Sequence, residues 1–352
     1  MIGIILSPSI INQTKKAEPS LIITFYEELS KQHNIDVCFY SVDRLSMQDQ
    51  TVKAIVYNFK TGERSQRKIP VPKVNLYRGY SYLKKQESIK KIDYFTEKHD
   101  TVFFNIMTNK ARGKFGIYNN LESVKDLKVL LPETATLSFS KMMTMLDRYG
   151  KLYIKPKRSS KGKNIYVLQE LNEGYSMSHV NHAKETVVEI SKGKLRNYFN
   201  SQFASSSKFI VQEAIDSKTY KGNKFDFRVF TQKNKSGKWQ ITGMYCRMAD
   251  KCKSVSNRDQ GGVLKFNLKK LIDDQTKKQI KKTCIEIAEA LEATYPQLVD
   301  LGLDVAVDQH EKIWLIEANF RPYRSRIDSR HYRVLFEHAK WYYQKRLDKQ
   351  II

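Results

Sequence analysis

The segment "LGLDVAVDQHEKIWLIEANFRP", residues 301–322, decides how this chain is read. Its runs "LDVAVD" and "KIWLIEAN" read as two strands, and the short "QHE" connection makes them antiparallel neighbours. Side chains two apart on a strand leave the same face, so Glu317 and Asn319 share one. Asp304 lies on the preceding strand, and the three oxygen-bearing side chains can converge. Two carboxylates and an amide oxygen are hard ligands of the kind Mg²⁺ takes, with its other oxygens coming from water or substrate phosphates. The same residues also read as ordinary polar strand positions facing water. Their surroundings, "GLDVAV" and "WLIEAN", are apolar, where an unpaired charge is costly. The local pattern leaves both readings open.

Working outward, residues 209–250 are strand-rich: "FIVQEAI", "FDFRVFTQ" and "KWQITGMYCRMA" follow one another, with a hairpin-like "KNKSGK" between the last two. Residues 273–296 place Ile280, Cys284, Ile287 and Leu291 at helical spacing. Upstream, "KFGIYNNLES" is helix-like and "LLPETATL" is extended from Pro132 onward. Residues 138–150 read as a helix with Ser140 as N-cap and Gly150 just past its end. "LYIKP" and "NIYVL" are strands around a loop, Lys157–Lys163, that holds four cations and one glycine. At the N-terminus "IGIIL" and "DVCFYSV" flank a helix over roughly 18–33, and "KAIVYNF" and "KVNLYRGY" continue a strand-rich unit to about residue 105. The tail "YRVLFEHAKWYYQKRL" is a basic helix with an aromatic packing face. No repeat of 20–50 residues is present, which removes solenoids and propellers. The expected class is α+β with several antiparallel pairs, and a plain doubly wound sheet fits less well.

With 352 residues, 41% hydrophobic and 28% charged, the chain has the composition of a soluble globular protein of two or three domains. Sixty-two Lys and Arg against 37 Asp and Glu give a formal charge of +25, a field that attracts an anionic partner without choosing one. Cys38, Cys246, Cys252 and Cys284 form no CxxC pair, as expected of free thiols in a reducing compartment. The apolar start lacks a cationic leader, and no run approaches the roughly 18 apolar residues of a membrane span. A cytoplasmic location, without membrane insertion, is the expectation.

Several pieces, taken in order, resemble the ATP-grasp superfamily. The late "D…ExN" strand pair resembles its Mg²⁺ site. "VQEAI" (211–215) resembles the linker strand beside the adenine, "FDFRVF" and "YCRMAD" the strands that supply two arginines, and "SVSNRDQGG" (254–262) the stretch beside the phosphates. Lys114 in "KFGIYNNL" and Lys155 in "YIKP" match the two ATP lysines, and the helix, strand and helix between them suit their spacing. The near-continuous run from "FFN" through "WLIEAN" is similar to the YheC/YheD-type, endospore coat-associated ATP-grasp proteins, well over roughly residues 100–325 and more loosely over 1–80.

The resemblance implies two α+β lobes clamping ATP behind a small α/β pre-domain: residues 1–105, then a small lobe over 106–210 with a lid loop at 157–163, then a large lobe over 211–352. It implies an ADP-forming ligase that activates a carboxylate as an acylphosphate for attack by an amine, with ATP and Mg²⁺ (Mn²⁺ as the alternative ion) as cofactors. Asp304, Glu317 and Asn319 would hold the metal. Lys114 and Lys155 would meet the α/β-phosphates, with Ser159, Ser160 and Gly162 in the lid and Asn257 beside them. Glu213 and the backbone of Ala214 and Ile215 would frame the adenine, with Gln212 beside them among the cofactor-binding residues. Arg228 and Arg247 would grip a phosphate or carboxylate. Lys161 stands where such a lid often has a second glycine, which restricts a close backbone wrap. Each residue also has a plainer reading: Lys114 as a surface lysine, Arg228 as the wet face of a sheet, Arg78 as a structural ion pair, and His310 as an exposed turn residue. Competing functions are an ATP-binding coat or scaffold protein without turnover, and non-specific polyanion binding. The basic surface suits an acidic peptide or protein as acceptor. No nucleic-acid recognition motif is present.

Overall fold

The structure, a computed structural model, describes residues 1–13, 20–79, 86–106, 114–157, 164–181, 184–249, 263–265, 267–320, 322 and 329–350. Three sheets organise them. The first has the order Leu45–Ser46, Thr51–Tyr57, Val37–Tyr40, Ile2–Ile5, Val74–Tyr77, Val102–Phe104, with Arg64–Pro70 added beside Thr51–Tyr57. Its central strands pair in parallel and are buried on both faces, as their unbroken apolar runs require. The helices Leu21–His33 and Ser329–Gln350 cover one face, over Ile2, Ile4, Val37 and Phe39. Gln86–His99 covers the other, over Cys38 and Tyr40. The C-terminal helix therefore packs into the core of the N-terminal sheet through Leu335, Phe336 and Ala339, although it lies at the far end of the chain.

The second sheet is antiparallel throughout: Lys184–Ser191, Gly174–Asn181, Ile165–Leu171, Lys151–Pro156, Phe209–Glu213, Thr134–Thr136. Phe139–Tyr149 and Leu195–Gln202 pack on it through Met142, Leu146, Leu195 and Phe199. The first of these helices ends where expected, with Gly150 at φ 64 returning its N–H to Leu146 O. Its N-cap is Ser138, not the expected Ser140. A capping hydroxyl needs extended backbone at its own residue and an N–H three positions on; Ser138 has both and accepts from Lys141 N at 3.2 Å.

The third sheet is also antiparallel, ordered Val263–Lys265, Trp239–Met248, Asn223–Lys233, Asp300–Val307, Ile313–Asn319. One face packs against Asp274–Thr294 and Lys114–Glu122, joining Phe225, Phe227, Val229, Leu303 and Val305 to Ile280, Ile287, Ile117 and Leu121. All strands of the first sheet lie before the linear boundary at 105/106, whereas the boundary at 210/211 does not follow the sheets. Strand Phe209–Glu213 runs across residue 210 inside the second sheet, and Ile117, Leu121 and Leu127 pack into the core of the third. The Asn105 side chain ties the first sheet to the third. Asn105, at φ 59, donates through Nδ2 to the Asp300 and Phe320 carbonyls, both at 2.9 Å, and its Oδ1 accepts from the Val299 and Asp300 N–H groups.

Candidate functional site

The face of the third sheet turned away from the Asp274–Thr294 helix carries the charged residues. In "KFDFRVF" alternation sends Phe225, Phe227 and Val229 into the core and Asp226 and Arg228 to the opposite face. The register sets Arg247 opposite Asp226, Tyr245 and Asp304 on either side of Arg228, and Glu317 beyond Asp304. Arg228 grips Asp304 with two donors, Nε on Oδ1 and Nη2 on Oδ2 at 2.9 Å. Arg247 reaches the same Oδ2 through Nη2 at 3.0 Å, and its Nε donates to Asp226 Oδ1 at 2.6 Å. The result is an array of alternating sign, Asp226–Arg247–Asp304–Arg228. Buried charges persist only when paired, and each neighbour here neutralises the next. Burial works to raise the Asp304 carboxyl, but the Arg228 and Arg247 guanidiniums outweigh it and hold the group below the usual carboxylate range.

Strand parity would send Glu317 and Asn319 the same way as Ile313 and Leu315, which lie in the core. A β-bulge prevents this. Asp304 pairs with Glu317 and Val305 with Leu315, so Ile316 is the extra residue and the parity reverses after it. Glu317 and Asn319 consequently share a face with Asp304, while Ala318 joins the core. The bulge has its own support: the Tyr118 hydroxyl donates to Ile316 O at 2.7 Å and lies 3.2 Å from Leu315 O. Opposite Asn319 sits Gly302, where an added Cβ would fall 2.5 Å from Pro322 Cβ and 3.3 Å from Arg228 Cδ.

On the second sheet, Lys155 donates from Nζ to Gln212 Oε1 at 2.6 Å and stands 5.0 Å over the Tyr153 ring. Gln212 spends its other end inside the protein as well, donating to Thr134 Oγ1 at 2.8 Å and to Tyr118 OH at 3.2 Å. It therefore holds the lysine in place from inside the protein. Glu213 accepts the Glu133 N–H at Oε2, 3.0 Å away, and the Ala214 N–H goes to Lys151 O at 3.2 Å. The chain leaves the sheet at Ala214 and the half-buried Ile215. Lys114 is the first residue of the helix Lys114–Glu122. Ser159, Ser160, Gly162 and Asn257 lie outside the described residues.

The residues present fit a hard divalent cation. Among the described residues no three His, Cys, Asp or Glu side chains cluster for a metal. A pair of carboxylates with an amide, completed by phosphate oxygens, is instead the Mg²⁺ pattern, and Asp304, Glu317 and Asn319 are brought to one face in that combination. Asn319 Nδ2 is buried without a hydrogen-bond partner, an orphan donor that a phosphate oxygen would satisfy. Two other residues flagged in the sequence are structural. Arg78 pairs with buried Asp300 at 3.1 Å and lies over the Tyr332 ring, and His310 is exposed on its turn. Sequence reading missed Asp226, Tyr245 and Tyr118. The first two were visible as the polar positions two residues before Arg228 and Arg247; Tyr118 left no such signal, because its role depends on the bulge.

Comparison with known proteins bears on this arrangement. A profile of the YheC/D-like ATP-grasp family matches residues 100–344. The endospore coat-associated protein YheD of Bacillus subtilis (strain 168) is 26% identical over 93% of this chain and 74% of its own length. YheC of the same organism is 21% identical over 61% of each. Among solved structures, the ATP-grasp ligase PsnB complexed with precursor peptide PsnA2 and AMPPNP superposes with a TM-score of 0.52 at 12% identity, over 94% of this chain and 92% of that one. N5-carboxyaminoimidazole ribonucleotide synthetase of Thermotoga maritima gives 0.51 at 11% identity, over 96% and 75%. At those identities the likeness concerns the fold. The fold is ATP-grasp, α+β.

Proposed function

This chain belongs to the YheC/D-like ATP-grasp family, and on that premise we propose that it is an ATP- and Mg²⁺-dependent carboxylate–amine ligase that forms ADP. The observation that carries this reading is the Asp226–Arg247–Asp304–Arg228 array lying beside Glu317 and Asn319 on one sheet face. In such a reaction a substrate carboxylate oxygen attacks the γ-phosphorus of ATP, giving an acylphosphate and ADP. An amine then attacks the acyl carbon and phosphate leaves. Charge spreads over the transferred oxygens, so the protein's work is positioning and neutralisation. Asp304, Glu317 and Asn319 would hold Mg²⁺, which when bound offsets phosphate charge. Lys155, fixed by Gln212, and Lys114 act as point charges on the α/β-phosphates, with Ser159, Ser160, Gly162 and Asn257 beside them. Arg247 is held in place by Asp226; Arg228, whose Nε and Nη2 hold Asp304, meets an anionic substrate with its remaining Nη donors. Glu213, fixed by the Glu133 N–H, and the Ala214–Ile215 backbone frame the adenine.

The charge of +25 favours an acidic peptide as acceptor, and PsnB, which shares the fold, is a ligase seen with its precursor peptide. The names of YheD and YheC support association with the spore coat. They equally favour a second reading, an ATP-binding coat protein without turnover. Calorimetry with ATP·Mg²⁺ is the first test: the wild type binds, and Lys155→Met weakens binding at least tenfold. Mass spectrometry of acidic peptides incubated with ATP, Mg²⁺ and mixed amino acids then looks for a mass increment with ADP release. Absence of ATP·Mg²⁺ binding refutes the proposal; binding without ADP from any acceptor favours the coat protein.

A further inference from the structure

Three side chains run from the second sheet to a backbone carbonyl of the third in one hydrogen-bonded line, with Thr134 as a branch. Lys155 Nζ donates to Gln212 Oε1, Gln212 Nε2 donates to Tyr118 OH and Thr134 Oγ1, and the Tyr118 hydroxyl donates to Ile316 O. An ammonium has donors only and a backbone carbonyl accepts only, so the two ends fix the direction of every bond between them. The Gln212 amide can face only one way, and the Tyr118 proton goes to the bulge carbonyls, Ile316 O at 2.7 Å and Leu315 O at 3.2 Å. Both middle members are buried, at 3% exposure for Gln212 and 6% for Tyr118, so leaving either end unmade is costly.

The line ends on the bulge. Ile316 is the inserted residue that reverses strand parity, and Glu317 follows it directly. We propose that Tyr118 is a positioning residue: through Ile316 it holds the bulge that turns Glu317 and Asn319 to the Asp304 face, and through Gln212 it sets where the Lys155 ammonium stands. One hydroxyl thus registers the phosphate lysine of one sheet against the carboxylates of another. The helix Lys114–Glu122 is suited to the task because Ile117 and Leu121, the neighbours of Tyr118, are anchored in the core of the third sheet. The other reading of the geometry is a tyrosine that satisfies buried carbonyls and contributes only stability. The two differ in what one atom's removal does at both ends of the line.

The proposal rests on the ATP·Mg²⁺ reading of the site for its functional half, and its test separates the two. Tyr118→Phe keeps the ring in the core and deletes the hydroxyl. The expected result is a fivefold or greater loss of ATP·Mg²⁺ affinity in calorimetry, with a melting temperature within a few degrees of wild type. In a Lys155→Met background the same substitution should cost much less, because its effect travels partly through that lysine. Hydrogen exchange on the protein without nucleotide supplies the independent readout: amides at 316–319 and at 209–213 should both exchange faster in Tyr118→Phe. Unchanged affinity in a wild type that binds ATP·Mg²⁺, or full additivity with Lys155→Met, overturns the proposal. If the wild type binds no nucleotide, the ligase reading fails on its own. The exchange data then decide the positioning claim, which is overturned if either segment is unaffected.

Discussion

Asp304→Asn isolates what holds the charged face together. The substitution keeps the side chain's shape and removes one negative charge. In the native chain both Asp304 oxygens accept from guanidiniums, and the Arg228 and Arg247 side chains are only 12% and 8% exposed. An asparagine offers one acceptor and turns an N–H donor toward other donors, leaving two buried cations with Asp226 as the remaining carboxylate of the array. Removing one partner of a buried pair costs about 3–5 kcal/mol, mostly as the penalty of the stranded charge. Urea unfolding at neutral pH should show a loss of that order. Asp304→Asn/Arg228→Met should then be more stable than Asp304→Asn alone, because one uncompensated cation is gone and Arg247 keeps Asp226. The pH dependence follows from the depressed Asp304 carboxyl. Its contribution is complete above the unfolded value of about 4 and is lost as pH falls below that through the lower folded value, so Asp304→Asn should flatten this acid limb. A loss below about 1 kcal/mol, or a double variant no more stable than the single, would refute the account of the array as a mutually neutralising unit.

Three further outcomes are expected. Asn105→Ala deletes a side chain that makes four hydrogen bonds and places alanine at φ 59, so it should cost at least about 3 kcal/mol and let the N-terminal sheet unfold at lower urea than the rest, read by segment-resolved hydrogen exchange. Gly302→Ala puts a methyl 2.5 Å from Pro322 Cβ and against the Arg228 stem; overpacking should cost about 1–3 kcal/mol and weaken ATP·Mg²⁺ binding, measured by melting and calorimetry. Burial pushes His338 down to about 4, against an Asn234 carbonyl that favours the protonated ring. Stability tied to this neutral imidazole is complete above pH 6.5 and declines as pH falls toward 4, by an amount on the order of 3 kcal/mol, and His338→Gln should remove that slope from a pH series of urea midpoints.

How much the sequence determined follows from which interactions are local. Strand alternation in "FDFRVF" and "YCRMA" set Arg228 and Arg247 on one face, and the short turn after Asp308 made the Asp304 and Glu317 strands partners. Helical spacing placed Ile280, Cys284, Ile287 and Leu291 in the core. The polar strand Arg64–Pro70 has no apolar alternation and exists through its pairing with Thr51–Tyr57, so its own residues did not announce it. The destination of the C-terminal helix was hidden too, because its apolar stripe fits any sheet and contact with the first strands spans nearly the whole chain. The candidate site divides in the same way. Residue types and order named Asp304, Glu317, Asn319, Lys155 and the two arginines as candidates, since each lies in a short motif. Tertiary structure alone decided that Gln212 holds Lys155, that Asp304 shares two guanidiniums, and that a bulge at Ile316 reverses a parity which would otherwise bury Glu317. A bulge is a property of two paired strands and of the Tyr118 hydroxyl brought to its carbonyls from a distant helix, and no single stretch of sequence contains all three.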